Sequence, residues 1–321
     1  MTKNVLRVEE IRSALSIRDL TDAQAGPHAM QLLLRDVVER LRRDWRCAVL
    51  VRRESPIVSV EENYDRLHYP PEGAARDARY TRYLNDAVIL RTQTSAMIPD
   101  MLGRLAEGRT MEDVLLVCPG LVYRRGVIDR LHAGEPHQVD LWRIRRGAAL
   151  TDHDLREMAR LVVSAALPGY EWRAIQAEHP YTTDGLQIDV KSSNRWVEIG
   201  ECGLVLPTLL EENSLDPAHV SGLVMGLGLD RALMLRKGMG DIRLLRSSDP
   251  RVAGQLLDLS PYRPVSSQPA IRRDCPMQWM EMKQPKNSAT GCGPPWANAP
   301  CASRASRCSR RRSMATSRPP R

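Results

Sequence analysis

Ser221–Lys237 reads SGLVMGLGLDRALMLRK. An apolar run punctuated by Gly226 and Gly228 passes straight into a helical run, with Arg231 at the joint. The bare backbone at the two glycines lets a flat group lie against it. Leu229–Lys237 has the residue types and apolar spacing of a helix. A guanidinium at the start of that helix suits a purine ring and phosphates. The same pattern also fits plain strand–helix packing, so its meaning depends on what flanks it.

The 321-residue chain has room for one large domain, or one and a small appendage. Phenylalanine is absent, which leaves Leu, Val, Ile and Met to fill the core. No apolar run is long enough to span a bilayer and the N-terminus lacks a signal-type stretch, so a cytoplasmic protein without membrane contact is expected. The net charge of +8 is unevenly placed: Asp274–Arg321 holds nine Lys/Arg against two Asp/Glu, which leaves +1 for residues 1–273. The body is therefore near neutral, which argues against a dedicated nucleic-acid-binding surface. Cys47, Cys118 and Cys202 are scattered through it without zinc spacing and read as reduced thiols. The seven histidines show no metal spacing either.

The pattern predicts helices at Val8–Ser16, Ala29–Arg43, Pro99–Ala106, Thr151–Ala166 and Pro207–Glu212. Strands are predicted at Cys47–Val51, Ala87–Leu90, Val114–Cys118, Leu121–Arg124, His137–Ile144, Trp172–Ala177, Leu186–Lys191 and Trp196–Cys202. Strands outnumber helices between Val114 and Gly228 and are joined by short turns. This is an α+β pattern with a mainly antiparallel sheet. No Walker loop or dinucleotide fingerprint is present.

Three features carry chemistry. The returning strand after Val122-Tyr123-Arg124-Arg125 aims Arg124, Gln138 and Asp140 into one space: a guanidinium for phosphate and carboxylate, and acceptors for an ammonium. Glu198 alternates against Val197 and Ile199 and can hold Mg²⁺ on phosphates. Arg231 and the bare Gly228 backbone are the third. Taken singly, Asp140 and Glu198 also fit a solvated strand face, and Arg125, Arg143, Arg145 and Arg146 read as a solvated basic edge. Trp142 and Trp172 read as core. His137 and His179 are further candidates for lining the pocket.

At these residues the chain resembles class II aminoacyl-tRNA synthetases, most nearly the catalytic domain of phenylalanine–tRNA ligase alpha subunits. GLVYRR (120–125) with HQVD (137–140) resembles motif 2. WVEIGECGLVLPTLL (196–210) resembles the strand with the metal-binding glutamate. SGLVMGLGLDRALMLRKGMGDIRLL (221–245) resembles motif 3, with Asp230 where the family has glutamate. RTQTSAM (91–97) resembles the substrate loop, YDRLHYPPEGAARD (64–77) the segment after motif 1, and residues 26–56 motif 1, the dimer interface.

The resemblance implies a six-stranded antiparallel sheet flanked by helices and a homodimer. It further implies activation of an amino acid by ATP with Mg²⁺, giving an aminoacyl adenylate for transfer to tRNA. A non-tRNA acceptor and a catalytically silent paralogue are the alternatives. By this mapping Arg124 bridges α-phosphate and carboxylate, and Arg231 with Gly228 backs ATP. Glu198 holds the metal, and Ser95, Gln138 and Asp140 bind the α-amino group.

The side-chain pocket departs from the family: Gln93 replaces a histidine, His179-Pro180-Tyr181 replaces two phenylalanines, and Val224 replaces an alanine floor. These changes point to an amino acid smaller or more polar than phenylalanine. The expected domains are an extension (1–20), the catalytic domain (21–262) and the opening of a ferredoxin-like anticodon-binding-type domain (263–274). Residues 275–321, crowded with Ser, Arg, Pro and Cys, are expected to be a disordered, frameshifted tail lacking that domain's remainder. The family's N-terminal tRNA-gripping coiled coil is likewise expected to be missing.

Overall fold

Helix α1 (Val8–Leu15) precedes α2 (Ala29–Trp45), which the His28 side chain caps at its start. Arg46 ends α2 in the left-handed region at φ 54°. β1 (Ala48–Val51), β2 (Ile57–Ser59), α3 (Val60–Asn63), β3 (Arg82–Tyr83) and β4 (Val88–Leu90) follow. A 3₁₀ turn, Thr94–Met97, runs into α4 (Ile98–Glu107). Next come β5 (Asp113–Leu121), β6 (His137–Arg146), α5 (Asp152–Ala166), β7 (Trp172–Gln176), β8 (Thr182–Ser192) and β9 (Arg195–Val205). α6 (Pro207–Glu212), β10 (Val220–Gly228) and α7 (Leu229–Arg236) complete the elements used below. The computed structural model describes residues 4–108 and 112–266. Of the segment assigned to a second domain's opening (263–274) all but residues 263–266, and the whole of the assigned tail (275–321), lie outside them.

The main sheet has seven strands in the order β1-β5-β6-β10-β9-β8-β7, one more than expected. The extra feature is β1, which pairs parallel to β5 (Ala48↔Val114) at one edge; all other pairs are antiparallel. A small sheet, β2-β4-β3, packs separately. One face of the main sheet carries α2, α5 and α7. Leu33, Val37 and Leu41 of α2, on one helical stripe, meet Leu155 and Val162 of α5 and Leu233 of α7 over Leu115, Leu141 and Met225. Each such buried side chain contributes on the order of 1.5–3 kcal/mol. The other face packs Leu116, Trp142 and Val224 against Ile98 and Leu102 of α4 and Leu209 of α6. Among the described residues no helix is long and apolar enough to cross a membrane.

The expected break at Pro119-Gly120 does not occur: β5 runs through it, with Pro119↔Val139 and Gly120↔Gln138 in register. The Arg52 N–H bonds Val117 O on the β1 side of β5. Pro119 faces the same side two residues later, beyond the last paired residue of β1. Its missing N–H therefore leaves no bond unmade. Beyond β5 the ladder continues, Val122 N–H to Pro136 O and Arg124 N–H to Gly134 O.

Arg143 is not part of a solvated edge. It is buried, forms a double hydrogen bond to Asp113 (3.0 and 2.6 Å) and lies 4.5 Å over the Trp45 ring.

Candidate active site

β10 alternates across the sheet. Met225 and Leu227 join the helix-side core, while Val224, Gly226 and Gly228 face a cavity of about 640 Å³. A Cβ on Gly226 would stand 3.0 Å from Gln138 Nε2, so a larger residue there would have to displace the Gln138 amide. The cavity thus has a bare floor ending in an apolar step at Val224. Arg124, Gln138, His179, Tyr181, Glu198 and Arg231 line its walls.

Arg124 is held on both sides of its backbone: Tyr123 N–H bonds Arg91 O and Arg125 N–H bonds Tyr80 O. Its Nε donates to Thr92 O (2.9 Å) and its Nη2 to Gln138 Oε1 (3.3 Å), and the guanidinium lies 5.9 Å from the Tyr80 ring centre. Arg231, in the first turn of α7, donates to Glu198 O (3.0 Å) and Leu131 O (3.3 Å). Its Nη1 is 3.6 Å from Glu198 Oε1. Burial pushes the Glu198 carboxyl above its ordinary value, and Arg231 only partly opposes this.

Behind Arg231, Asp230 is buried. It accepts from the His137 backbone N–H and sits 3.1 Å from His137 Nδ1. His137 Nε2 accepts from Leu20 N–H (3.0 Å), so Nδ1 carries the proton and donates. Burial opposes charge on Asp230, yet the His137 contacts outweigh it and hold the carboxyl below its ordinary value. The short Asp230 side chain thereby ties the start of α7 to the start of β6, and Arg231 to Gln138. His137 is among the residues bordering the cavity, as the sequence allowed, but it is fully buried.

Two residues assigned to the α-amino group are not exposed to the cavity. Asp140 shares the cavity-side face of β6 with Gln138 and Trp142, but the Thr94–Met97 turn covers it. Asp140 accepts from Thr94 Oγ1 (2.6 Å), Ser95 Oγ (2.8 Å) and Trp142 Nε1 (3.1 Å). Burial raises its pKa against these three donors. Ser95 is spent on the same bond, with 1% exposure. The network acts at one remove: Trp142 stacks on Tyr181 at 5.7 Å and 19°, which fixes one pocket wall.

Three of the lining residues that carried no role in the sequence reading shape the site. Tyr69 donates to Gln93 Oε1 (2.7 Å) and approaches Tyr181 at 6.0 Å; Tyr80 underlies Arg124. Glu201 is the third. Strict alternation puts residues 198 and 201 on opposite faces. A bulge in β9, with Asp189↔Glu198 followed by Ile188↔Gly200, inserts Ile199 and brings Glu198 and Glu201 to the same side. Glu201 Oε2 bonds His179 Nε2 at 2.6 Å, which holds its carboxyl below the ordinary value.

Among the described residues no group of three or more His, Cys, Asp or Glu is placed to hold a metal unaided. Mg²⁺ bound through phosphates needs only one or two carboxylates, and Glu198 is the residue placed to supply one.

The model of the family described as "tRNA synthetases class II core domain (F)" matches residues 17–256. The chain belongs to the class II aminoacyl-tRNA synthetases. This class II core is 36% identical over 203 residues to the phenylalanine–tRNA ligase alpha subunit of Prochlorococcus marinus (strain MIT 9313), covering 63% of this chain and 58% of that one. It is 33% identical over 207 residues to the Symbiobacterium thermophilum alpha subunit, covering 60% and 59%. The chain thus spans somewhat over half the length of these relatives. The crystal structure of pyrrolysyl-tRNA synthetase from Desulfitobacterium hafniense matches this class II core with a TM-score of 0.52 at 18% identity, over 69% of this chain and 74% of that one. That likeness bears on the fold alone.

Proposed function

We propose that the cavity binds ATP and an amino acid side by side and joins them as an aminoacyl adenylate, for transfer to tRNA. The observation that carries this is the convergence of Arg124, Arg231 and Glu198 on one cavity from three separate stretches of chain. ATP lies over Gly228 and Gly226 with Arg231 against its base and terminal phosphates. The amino acid occupies the Val224 end. Arg124, fixed by Thr92 O and Gln138, draws the substrate carboxylate toward the α-phosphate and offsets charge on both. The carboxylate oxygen attacks phosphorus and pyrophosphate leaves in line. Glu198 would hold Mg²⁺, which supplies positive charge to the leaving phosphates. Gln138 remains at the wall as an acceptor for the α-ammonium, while Ser95 and Asp140 act through the wall they support. A homodimer through residues 26–56, which include the edge strand β1, belongs to the same proposal.

Amino-acid-dependent ATP–pyrophosphate exchange tests the reading, run with each of the twenty amino acids. Exchange with a restricted set, lost in Arg124→Ala, is expected. No exchange with any amino acid, under conditions where the chain is folded, overturns it. Acylation of total tRNA by the active amino acid then tests the acceptor.

A further inference from the structure

We infer that the Glu201–His179 pair selects the amino acid, and that the side chain selected carries a hydrogen-bond donor. This rests on the adenylate-forming reading of the same cavity. A carboxylate only accepts, so His179 Nε2 is the donor in their 2.6 Å bond. That bond occupies Oε2. Among the described residues Oε1 forms no hydrogen bond, and the Glu201 side chain is 43% exposed on the cavity wall. The His179 hydrogen bond holds the carboxyl below its ordinary value.

Two other polar groups at this end are already engaged. The Tyr69 hydroxyl donates to Gln93 Oε1, and Gln93 Nε2 donates to Asn63 O. Tyr69, Tyr181 and Val224 offer rings and methyls to the stem of a side chain, and Glu201 offers the one charged acceptor. Gly226 pairs with Glu201 on β9, while Gly228, two residues on, pairs with Gln138 on β6. Glu201 and Gln138 therefore stand two strand spacings apart across the sheet and two residues apart along it, roughly 12 Å. The groups on the α-carbon, gathered near Arg124 and Gln138, lie away from Glu201, and the side chain lies toward it. An apolar side chain seated there strips water from Oε1 and returns nothing, whereas a hydroxyl, amide or ammonium replaces the lost water.

Calorimetric titration of the twenty amino acids into the full chain, without ATP, tests this. Wild type is compared with Glu201→Gln and with Glu201→Met, each checked for folding by circular dichroism. Near-isosteric pairs (threonine and valine, glutamine and methionine, tyrosine and phenylalanine) give the readout. For the pair that fits, the donor-bearing member binds at least about tenfold tighter, and Glu201→Met reduces this to under about threefold. Tightest binding of an apolar amino acid, or absence of binding by all twenty, overturns the inference. So does an equal loss for every amino acid in both variants, which would assign Glu201 to the α-ammonium. Selective binding without pyrophosphate exchange would instead contradict adenylate formation and leave the selectivity standing. Exchange driven by phenylalanine would do the reverse.

Discussion

Adding one methyl group at Gly200 should damage both the fold and the site, while the same change at Gly103 should stabilise the chain. A Cβ on Gly200 would lie 2.3 Å from Gly226 O and 3.2 Å from Leu227 Cα. Both are backbone atoms of the neighbouring strand β10, so no side chain can swing away. The contact to the carbonyl falls short of an ordinary one by about 1 Å, and β9 and β10 must part by that much. Overpacking of this kind costs about 1–3 kcal/mol. The parting falls on the bulge that turns Glu198 and Glu201 into the cavity, and a misplacement of about 1 Å there lowers the rate by roughly a hundredfold. Gly103 sits inside α4 with nothing within 4 Å of its would-be Cβ. Gly103→Ala should therefore raise stability by about 0.5–1 kcal/mol. Urea unfolding followed by circular dichroism gives both numbers, and pyrophosphate exchange gives the rate. A Gly200→Ala chain with wild-type midpoint and wild-type exchange would refute the reasoning.

Asp140→Ala strands three buried donors and should cost about 3 kcal/mol or more in urea unfolding, with Asp140→Asn, which keeps one acceptor oxygen, falling between it and wild type. An unchanged midpoint combined with lost amino-acid affinity would return Asp140 to the ligand. His28 supplies a pH dependence: its Nδ1 accepts from Met30 N–H (3.1 Å) and its Nε2 bonds Leu245 O (3.2 Å), which requires the neutral ring. Burial lowers its pKa from 6.5 to about 4. Between those values the unfolded chain binds more protons, so stability is lost as pH falls from 6.5 toward 4, by about 3 kcal/mol in all. His28→Asn keeps a capping acceptor and should flatten that window in unfolding midpoints measured at pH 7, 5.5 and 4.5.

Much of this was written in local pattern. The Leu33–Val37–Leu41 stripe, the cap at Thr151 and the Gly228–Leu229 joint each depend on neighbours in sequence, and α2, α5 and α7 lie where the periodicity puts them. Eight of the ten candidate site residues line one cavity, because period-two alternation aims Gln138, Val224 and Gly228 to one side. Alternation gives a face and says nothing of what covers it. Asp140 is on the right face under a turn that arrives from residues 94–97. Arg143 is drawn inward by Asp113 on the neighbouring strand and by Trp45, neither of which is its neighbour in sequence. Glu201 was hidden by a single inserted residue, since one bulge reverses every face beyond it. Tyr69 comes from an irregular segment with no period to read.

The central claim is that two guanidinium groups and a carboxylate act on one nucleotide. Calorimetric titration of Mg²⁺·ATP into the full chain, wild type beside Arg231→Gln and Glu198→Gln, tests it most directly. Wild type should bind one equivalent, and Arg231→Gln should bind roughly ten- to a hundredfold more weakly, the loss of a charge-assisted contact. Glu198→Gln should lose affinity only when Mg²⁺ is present. Equal affinities in all three chains, or no binding by wild type, would contradict the account.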